Sequence, residues 1–528
     1  MSAFYITTAI EYANGEPHLG HAFEKIGADA IARYRRLRGD TVHLLAGTDD
    51  HGLKVARAAA AAGVAPREQA DRISGIFRQT WDTLGISYDR FVRTTAPKHA
   101  VGVRTLIERI VERHPDAFYE KAYEGWYCVG CEAFRTAREL DAGRCPIHPS
   151  LDLERVAESN WFFRLSAHTE WLSTFLRANP EFIQPRSRYN EILTFVDRGL
   201  DDVSVTRASL DWGIPFPLAD HDSRHQVIYV WFDALPSYLT ATGYPDCGGE
   251  ITWPAQVHVI GKDITRFHCV LWPAVLRAAG LPLPERVWAH GFVTANGARL
   301  SKTAGVWIDL SDAIARHGPD ALRYFLLREV PFDGDGDFSW HRFDARYTAD
   351  LANTLGNLTS RVTALIAKYA VEAQVPCIRD DDHSGYVGEA ERDLERRSVD
   401  ALDRYIAAFE TFRLHEALDA VFQVLAAGNE FLTRVAPWTL AKDPERRRDY
   451  DRTVAVAVRL LARQAVLLSP FIPTAAGALW RSLGGPGCVS DQRLAEIARI
   501  DPTGWRVTHA PPLFPRTTDD RPGIRPES

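Results

Sequence analysis

Within its first fifty residues the chain passes through strand, glycine-bearing turn, helix and strand, and this alternation constrains the fold more than any other feature. Phe4 to Ile10 is a β-rich run that Asn14-Gly15 breaks. After Pro17 the apolar residues Phe23, Ile26, Ala30, Tyr34 and Leu37 recur at helical spacing, and Gly39 stands where a C-terminal cap belongs. Thr41 to Leu45 then makes a second short strand. Strands that alternate with helices imply a parallel sheet with crossover helices, so an α/β fold is expected. From residue 116 to about 225 the pattern is interrupted by a stretch dominated by Cys, Gly, Pro and charged residues. It resumes with Gln226 to Trp231 and Val257 to Gly261, and beyond about Asp320 the periodicity becomes nearly all helical.

A chain of 528 residues holds two or three packed domains. Its net charge of −7 argues against non-specific nucleic-acid binding, although a local basic patch is enough to track a phosphate backbone. Met1 to Tyr5 has no basic stretch ahead of an apolar run, so no signal peptide is expected. Val454 to Leu468, the most apolar late segment, carries Arg459 and Arg463 and is too short to span a bilayer. Seven cysteines in a chain of this size do not describe a disulfide scaffold. A cytoplasmic protein without membrane contact is the expectation.

Three segments carry chemistry. Pro17-His18-Leu19-Gly20-His21 lies where the first strand meets its helix. Two imidazoles around a glycine at a helix N-terminus make an anion site, because backbone N–H groups and the helix dipole favour phosphate. Gly20 would let a flat base approach the backbone with no Cβ in the way. Read alone, the same residues also describe histidines that cap a helix. Gly297-Ala298-Arg299-Leu300-Ser301-Lys302-Thr303 is a polar loop that either closes over a polyphosphate, with Lys302 as the point charge, or is simply solvated. Cys128-Val129-Gly130-Cys131 is followed, after thirteen residues, by Cys145-Pro146-Ile147-His148. Three thiolates and an imidazole at this spacing describe a tetrahedral Zn²⁺ knuckle with no open position, hence a structural one. Redox chemistry of a lone CxxC is the alternative, and the second pair weighs against it.

In this order, around an α/β pattern, the first two segments resemble the HIGH and KMSKS signatures of class I aminoacyl-tRNA synthetases. Thr7 to Gly15, Gly47-Thr48-Asp49-Asp50-His51-Gly52, Tyr229-Val230-Trp231-Phe232-Asp233-Ala234, Gly261-Lys262-Asp263-Ile264 and His290-Gly291-Phe292-Val293-Thr294 look like the methionine enzymes, in the bacterial form with one zinc knuckle. The resemblance covers nearly the whole chain. It implies a Rossmann-type catalytic domain in two halves (1–115 and 226–320) around a connective insertion with the zinc knuckle (116–225). A linking stem-contact segment (321–370), a helical anticodon-binding domain (371–516) and a flexible tail (517–528) would follow.

The implied reaction activates L-methionine with ATP to methionyl-adenylate and pyrophosphate, then transfers methionine to the 3′ end of tRNA(Met). A carboxylate is already a nucleophile, so the first step reduces to positioning and charge stabilisation. By resemblance, His18 and His21 stabilise the α-phosphate and Lys302 the departing pyrophosphate. Gly20, Asp263, Arg299 and Ser301 complete the ATP site, with Asp263 at the ribose hydroxyls and Mg²⁺ accompanying ATP. Asp49 matches the carboxylate that holds the methionine ammonium. Ile10, Tyr12, Trp231, Ala234, Tyr238, Phe267, His268 and Trp272 match the walls around the thioether, which favours aromatic edges and shaped apolar contact. Asn357, Arg361 and Trp438 match anticodon-reading positions; the first two lie four apart on one helix face. Cys128, Cys131, Cys145 and His148 would hold the zinc.

The chain departs from the family pattern at two points. The loop reads RLSKT where the family usually reads KMSKS, and a guanidinium at Arg299 is no simple replacement for an ammonium. Glu11 stands where related sequences commonly carry an aromatic residue or Pro; it either alters the pocket mouth or faces solvent. Rival readings are a paralogue making methionyl-adenylate outside translation, an inhibitor-tolerant second copy, and, from another class, an inactive RNA-binding module. The anticodon-type residues and zinc set weigh against a non-translational role, and His18, His21, Lys302, Asp49 and Asp263 against the inactive module. A monomer is expected.

Overall fold

In the computed structural model the β-rich start of the chain is divided. Strand β1 spans Ala3–Thr8 and β2 Glu11–Tyr12, with Ala9 still bonded through its N–H to the Val259 carbonyl at 3.2 Å. Helix α1 spans Leu19–Arg38, and Gly39 follows it with φ 97°, as a C-terminal cap requires. Strand β3 runs through Thr41–Asp49, farther than the apolar run suggests, and so carries Gly47-Thr48-Asp49 to the sheet's carboxyl edge. Gly47 is needed there: a Cβ would lie 2.4 Å from the Val92 carbonyl oxygen of the adjacent strand, β4 (Arg90–Arg93). The residues described are 2–130, 132–135, 140–146, 149–218, 226–246, 248–295, 297–299, 308–377, 385–509 and 511–516.

The chain divides into two compact units, Met1–Ala32 with Asp40–Phe292, and Arg33–Gly39 with Val293–Ser528. In the first unit, β5 (Phe118–Cys128), β6 (Ala133–Arg135), β7 (Glu154–Phe163) and β9 (Val203–Ser204) form an antiparallel sheet in the order β6-β5-β7-β9. Between them in sequence, β8 (Ile183–Gln184) instead joins the main sheet. After a short antiparallel pair, β10 (Thr206–Arg207) and β11 (Val227–Ile228), come β12 (Val257–Gly261) and β13 (Val287–His290). The main sheet is parallel in the order β2-β3-β1-β12-β13-β8, with β4 also paired to β3.

Chain order reverses direction at β1: β3 lies on one side of it and β12 on the other. The carboxyl ends of β1, β3 and β12 therefore open a crevice at a topological switch point, where open α/β sheets place ligands. The buried residues Leu106, Ile107, Ile110, Phe163, Ile192 and Trp272 belong to the core of this unit.

The second unit is mostly helical. Its helices include Pro319–Glu329, Asn357–Tyr369, Gly385–Glu410, Leu414–Val435, Arg447–Leu468 and Pro473–Ser482. Gly428 permits close packing in the bundle, since a Cβ there would sit 3.0 Å from Leu358 and 3.2 Å from Leu460. Arg323 is fully buried and spends its donors on the carbonyls of Phe471 (2.7 Å) and Pro470 (2.9 Å), which is how a buried charge stays satisfied. Among the described residues no helix is long and apolar enough to cross a membrane.

Candidate active site at the carboxyl edge of the sheet

The histidine pair is built by helix capping. His18 Nδ1 accepts from the Gly20 N–H at 3.1 Å and, more weakly, from the His21 N–H at 3.4 Å. His21 Nδ1 accepts in turn from the His18 N–H at 3.3 Å. The rings stack with centroids 3.6 Å apart. Because both Nδ1 atoms accept, a neutral ring at either position carries its proton on Nε2 and is a donor there. Burial, followed by the nearby charges of His18, Lys25 and His290, pushes His21 well below the usual histidine range and keeps it neutral. Capping thus uses one nitrogen of each ring and leaves the other as a donor. At Gly20 the space above Cα is taken by the His18 ring, 3.0 Å from where a Cβ would be, so this glycine keeps the capping ring in place.

Asp49, at the end of β3, is buried and sits among other acids. Burial, then Asp233, Glu132 and Asp50, push its carboxyl well above the ordinary range. Asp233 is different: although burial opposes its charge, His51 (2.7 Å) and His99 (2.8 Å) bind its two oxygens and hold it below the usual range. Asp50 is tied down by Arg93 (2.7 Å) and Thr95 (2.6 Å). The cluster therefore ties down Asp233 and Asp50 and leaves Asp49 an acid whose ionisation a ligand's cation would favour.

The residues expected to wall a methionine pocket connect to Asp49 through Tyr12, its partner in register between β2 and β3. Trp231 stacks on Phe267 with centroids 3.9 Å apart, and Tyr12 and His268 meet the indole edge-on at 6.3 and 6.1 Å. His268 Nδ1 faces the Ile264 carbonyl (3.1 Å), so it donates there and Nε2 accepts from the Tyr238 hydroxyl at 2.8 Å. Burial lowers His268 to about 4, consistent with that neutral tautomer. Trp272 donates to His258 at 3.3 Å, and Ala234 is buried in the short helix Val230–Ala234. Ile10 is half-buried between β1 and β2. The Trp231 indole N–H is buried with no partner among the described residues. Asp263 lies just beyond β12, and a Cβ on Gly261 would come 2.8 Å from its carboxylate.

Sequence reasoning missed a buried charge chain. Glu11 does not face solvent: it is 6% exposed and pairs with Lys25, which also pairs with Glu24 at 3.0 Å. Glu24 continues to His290 Nε2 at 3.0 Å. Burial raises Glu11 to about 7 against the pull of Lys25. For Glu24 burial works the same way, but Lys25 and His290 win and hold it below its usual value. The only signal in the sequence is Glu11 itself, an unexpected acid beside the pocket residues.

In the second unit Asn357 and Arg361 project from one helix toward Asn429, whose side-chain oxygen accepts from both, at 3.2 and 3.4 Å. The Arg361 guanidinium lies 5.4 Å over the ring of Trp438, which is 39% exposed. Asn429 was not legible as part of this group, since only helix packing brings it there. Cys128 and Cys145 are buried, the latter on a turn whose neighbours Asp141 to Arg144 and Pro146 are exposed. Cys131, His148, Ser301 and Lys302 lie outside the described residues, and of Arg299 only its place in the strand Ala298–Arg299 is described. Among the described residues no group of three or more His, Cys, Asp or Glu could hold a metal ion.

The family described as tRNA synthetases class I (M) matches residues 4–155 and 150–363, and the anticodon binding domain of methionyl tRNA ligase matches 382–523. The methionine–tRNA ligase of Brucella melitensis is 41% identical over 97% of this chain and 98% of its own length. The chain belongs to the methionine–tRNA ligase family. The ligase of Nostoc sp. is likewise 41% identical, over 91% of this chain and 90% of its own. The structure of Mycobacterium tuberculosis methionyl-tRNA synthetase in complex with methionyl-adenylate is 39% identical, with a TM-score of 0.90 over 98% of this chain and 100% of that one. Membership of the methionine–tRNA ligases makes the chain an enzyme of the aminoacyl-tRNA ligase class, and the parallel-sheet domain followed by a helical one agrees with the class I fold.

Proposed function

We propose that the crevice at the carboxyl edge of the main sheet makes methionyl-adenylate from L-methionine and ATP and passes the methionine to the 3′ end of tRNA(Met). The observation that carries this is the pairing of two unlike subsites. On one side stands a cation-seeking carboxyl, Asp49, beside the aromatic wall of Trp231 and Phe267; on the other stand two imidazole donors at a helix N-terminus.

The ammonium pairs with Asp49, and the thioether lies along Tyr12, Trp231, Tyr238, Phe267 and His268, with Ile10, Ala234 and Trp272 behind. The methionine carboxylate is then the nucleophile at the α-phosphate, and charge that builds on the phosphate oxygens is met by Nε2–H of His18 and His21. Gly20 serves by keeping the His18 ring seated, and Asp263 takes the ribose. Arg299, Ser301 and Lys302 receive the departing pyrophosphate, with Mg²⁺ carried in on ATP. The boundaries 1–115, 116–225, 226–320, 321–370, 371–516 and 517–528 are the domain limits we assign. The enzyme acts as a cytoplasmic monomer.

Asn357, Arg361 and Trp438 read the anticodon, with Asn429 fixing the first two. An exposed indole under a guanidinium is a stacking platform for an unpaired base. Trp438→Ala is therefore expected to lower the efficiency of tRNA charging by on the order of tenfold or more while leaving methionine-dependent ATP–pyrophosphate exchange at the native rate. Equal loss in both assays would make the tryptophan structural.

Cys128, Cys131, Cys145 and His148 are assigned a structural zinc ion. An inward-facing Cys145 on an otherwise exposed turn, with Cys128 buried at the end of β5, fits a thiolate-rich knuckle that has no apolar core of its own. Elemental analysis is expected to find about one zinc per chain, and Cys128→Ser to lower that content while destabilising the insertion. A folded, active preparation with no zinc would refute the assignment.

A further inference from the structure

One turn beyond His21 on α1, a cation is sealed from water. The side chain of Lys25 is 0% exposed, and its ammonium has three acceptors: the Ala9 carbonyl at 2.8 Å, Glu24 at 3.0 Å and Glu11. Three donors meeting three acceptors leave the group no rotational freedom. The acceptors come from two directions. Ala9 and Glu11 bracket Ile10 and lead into Tyr12, the strand segment that walls the methionine pocket. Glu24 leads instead to His290, at the end of β13 and in register with Gly261, beside the residues assigned to ribose. His290 Nδ1 faces the Gly291 carbonyl at 2.7 Å and so donates there, which orients the ring toward Glu24.

A buried triad of this kind is not explained by stability, since apolar side chains of the same volume serve as well or better. Nor is Glu11 held by anything else of opposite charge that the structure shows: its second oxygen is buried with no hydrogen-bond partner among the described residues. Its place is set by Lys25.

We propose that Lys25 is a positioning residue that couples the methionine subsite to the ATP subsite, holding Ala9 and Glu11 on one side and the Glu24–His290 pair on the other. This rests on the assignment of those two subsites. A shift of the Ile10–Tyr12 segment when methionine enters is transmitted through the fixed ammonium to Glu24 and His290. By reciprocity, a nucleotide that settles against them tightens the hold on methionine.

The test is a fluorescence titration of the full chain with methionine, with and without the non-reacting analogue α,β-methylene-ATP. The native chain is expected to bind methionine on the order of tenfold more tightly when the analogue is present. Lys25→Met alone leaves the buried Glu11 without its countercharge, so the informative variant combines it with Glu11→Gln and keeps the Glu24–His290 contact. That double variant should bind each ligand alone within about threefold of native, with the coupling factor reduced to near one. Lys25→Arg should restore part of it, because a guanidinium still bridges two carboxylates. A merely structural Lys25 would lower the melting temperature of the double variant and leave the coupling factor unchanged. That result, or the absence of coupling in the native chain, would overturn the proposal. Failure of either ligand to bind the native chain at all would overturn the subsite assignment beneath it.

Discussion

Replacing His21 with alanine is expected to slow methionine-dependent ATP–pyrophosphate exchange by on the order of 10²–10³-fold, the loss that follows removal of one donor aimed at developing charge. The methionine dissociation constant should stay within about threefold of native, because the imidazole acts only as the phosphate approaches its transition state. The ring is neutral in the free protein and its Nδ1 is occupied by the His18 N–H, so the donor lost is Nε2–H. The substitution also removes one weak cap from α1, which costs about 1 kcal/mol in stability. That is small for a helix whose apolar face, including Phe23, Ile26, Ala30 and Ile31, is fully buried. Stopped-flow adenylate formation and an equilibrium methionine titration, run on the same folded preparation, separate the outcomes. A parallel loss of binding and rate would mean that the histidine holds the pocket together and does not serve the phosphate.

The second large effect belongs to Asp49. Its carboxyl is pushed well above the usual range by burial and then by Asp233, Glu132 and Asp50, so the free protein holds a proton there over pH values where an ordinary aspartate has lost it. The methionine ammonium favours the ionised form, so binding should expel that proton. The sign follows directly: in the range where the free carboxyl is protonated, affinity for methionine rises with pH, up to tenfold per unit, and levels off once Asp49 ionises unaided. Calorimetry in two buffers of different ionisation enthalpy measures the proton released. Asp49→Asn should abolish the release and weaken methionine binding by on the order of 10²-fold, as expected when a buried ammonium loses its counter-charge. A pH-independent affinity in the native chain would place the ammonium elsewhere.

The parallel sheet was legible because strand and helix periods change so sharply between Phe4 and Leu45. The carboxyl end of β3 was not, since Gly47-Thr48-Asp49 lacks an apolar pattern and is kept in the strand by the close approach of β4. The same limit applies within the site. His18 and His21 could be picked out by spacing, but which nitrogen caps and which donates depends on hydrogen-bond geometry that no spacing encodes. Glu11 stood out as a foreign charge, yet its partner Lys25 lies fourteen residues on, across a turn, and so do not share a period. Asp233 acts on Asp49 from the distant helix Val230–Ala234, and Asn429 reaches Asn357 through helix packing; tertiary structure alone creates those neighbours. The pocket aromatics could be named by resemblance, whereas the stacking of Trp231 on Phe267 had to be seen.

The most direct test of the central claim is methionine-dependent ATP–pyrophosphate exchange by the zinc-loaded full chain, followed in the same preparation by charging of tRNA(Met). The expected result is exchange that requires methionine, together with charging that requires an intact anticodon. A folded preparation that catalyses no exchange with methionine would contradict the account, and exchange without charging would make the chain an adenylate-forming paralogue.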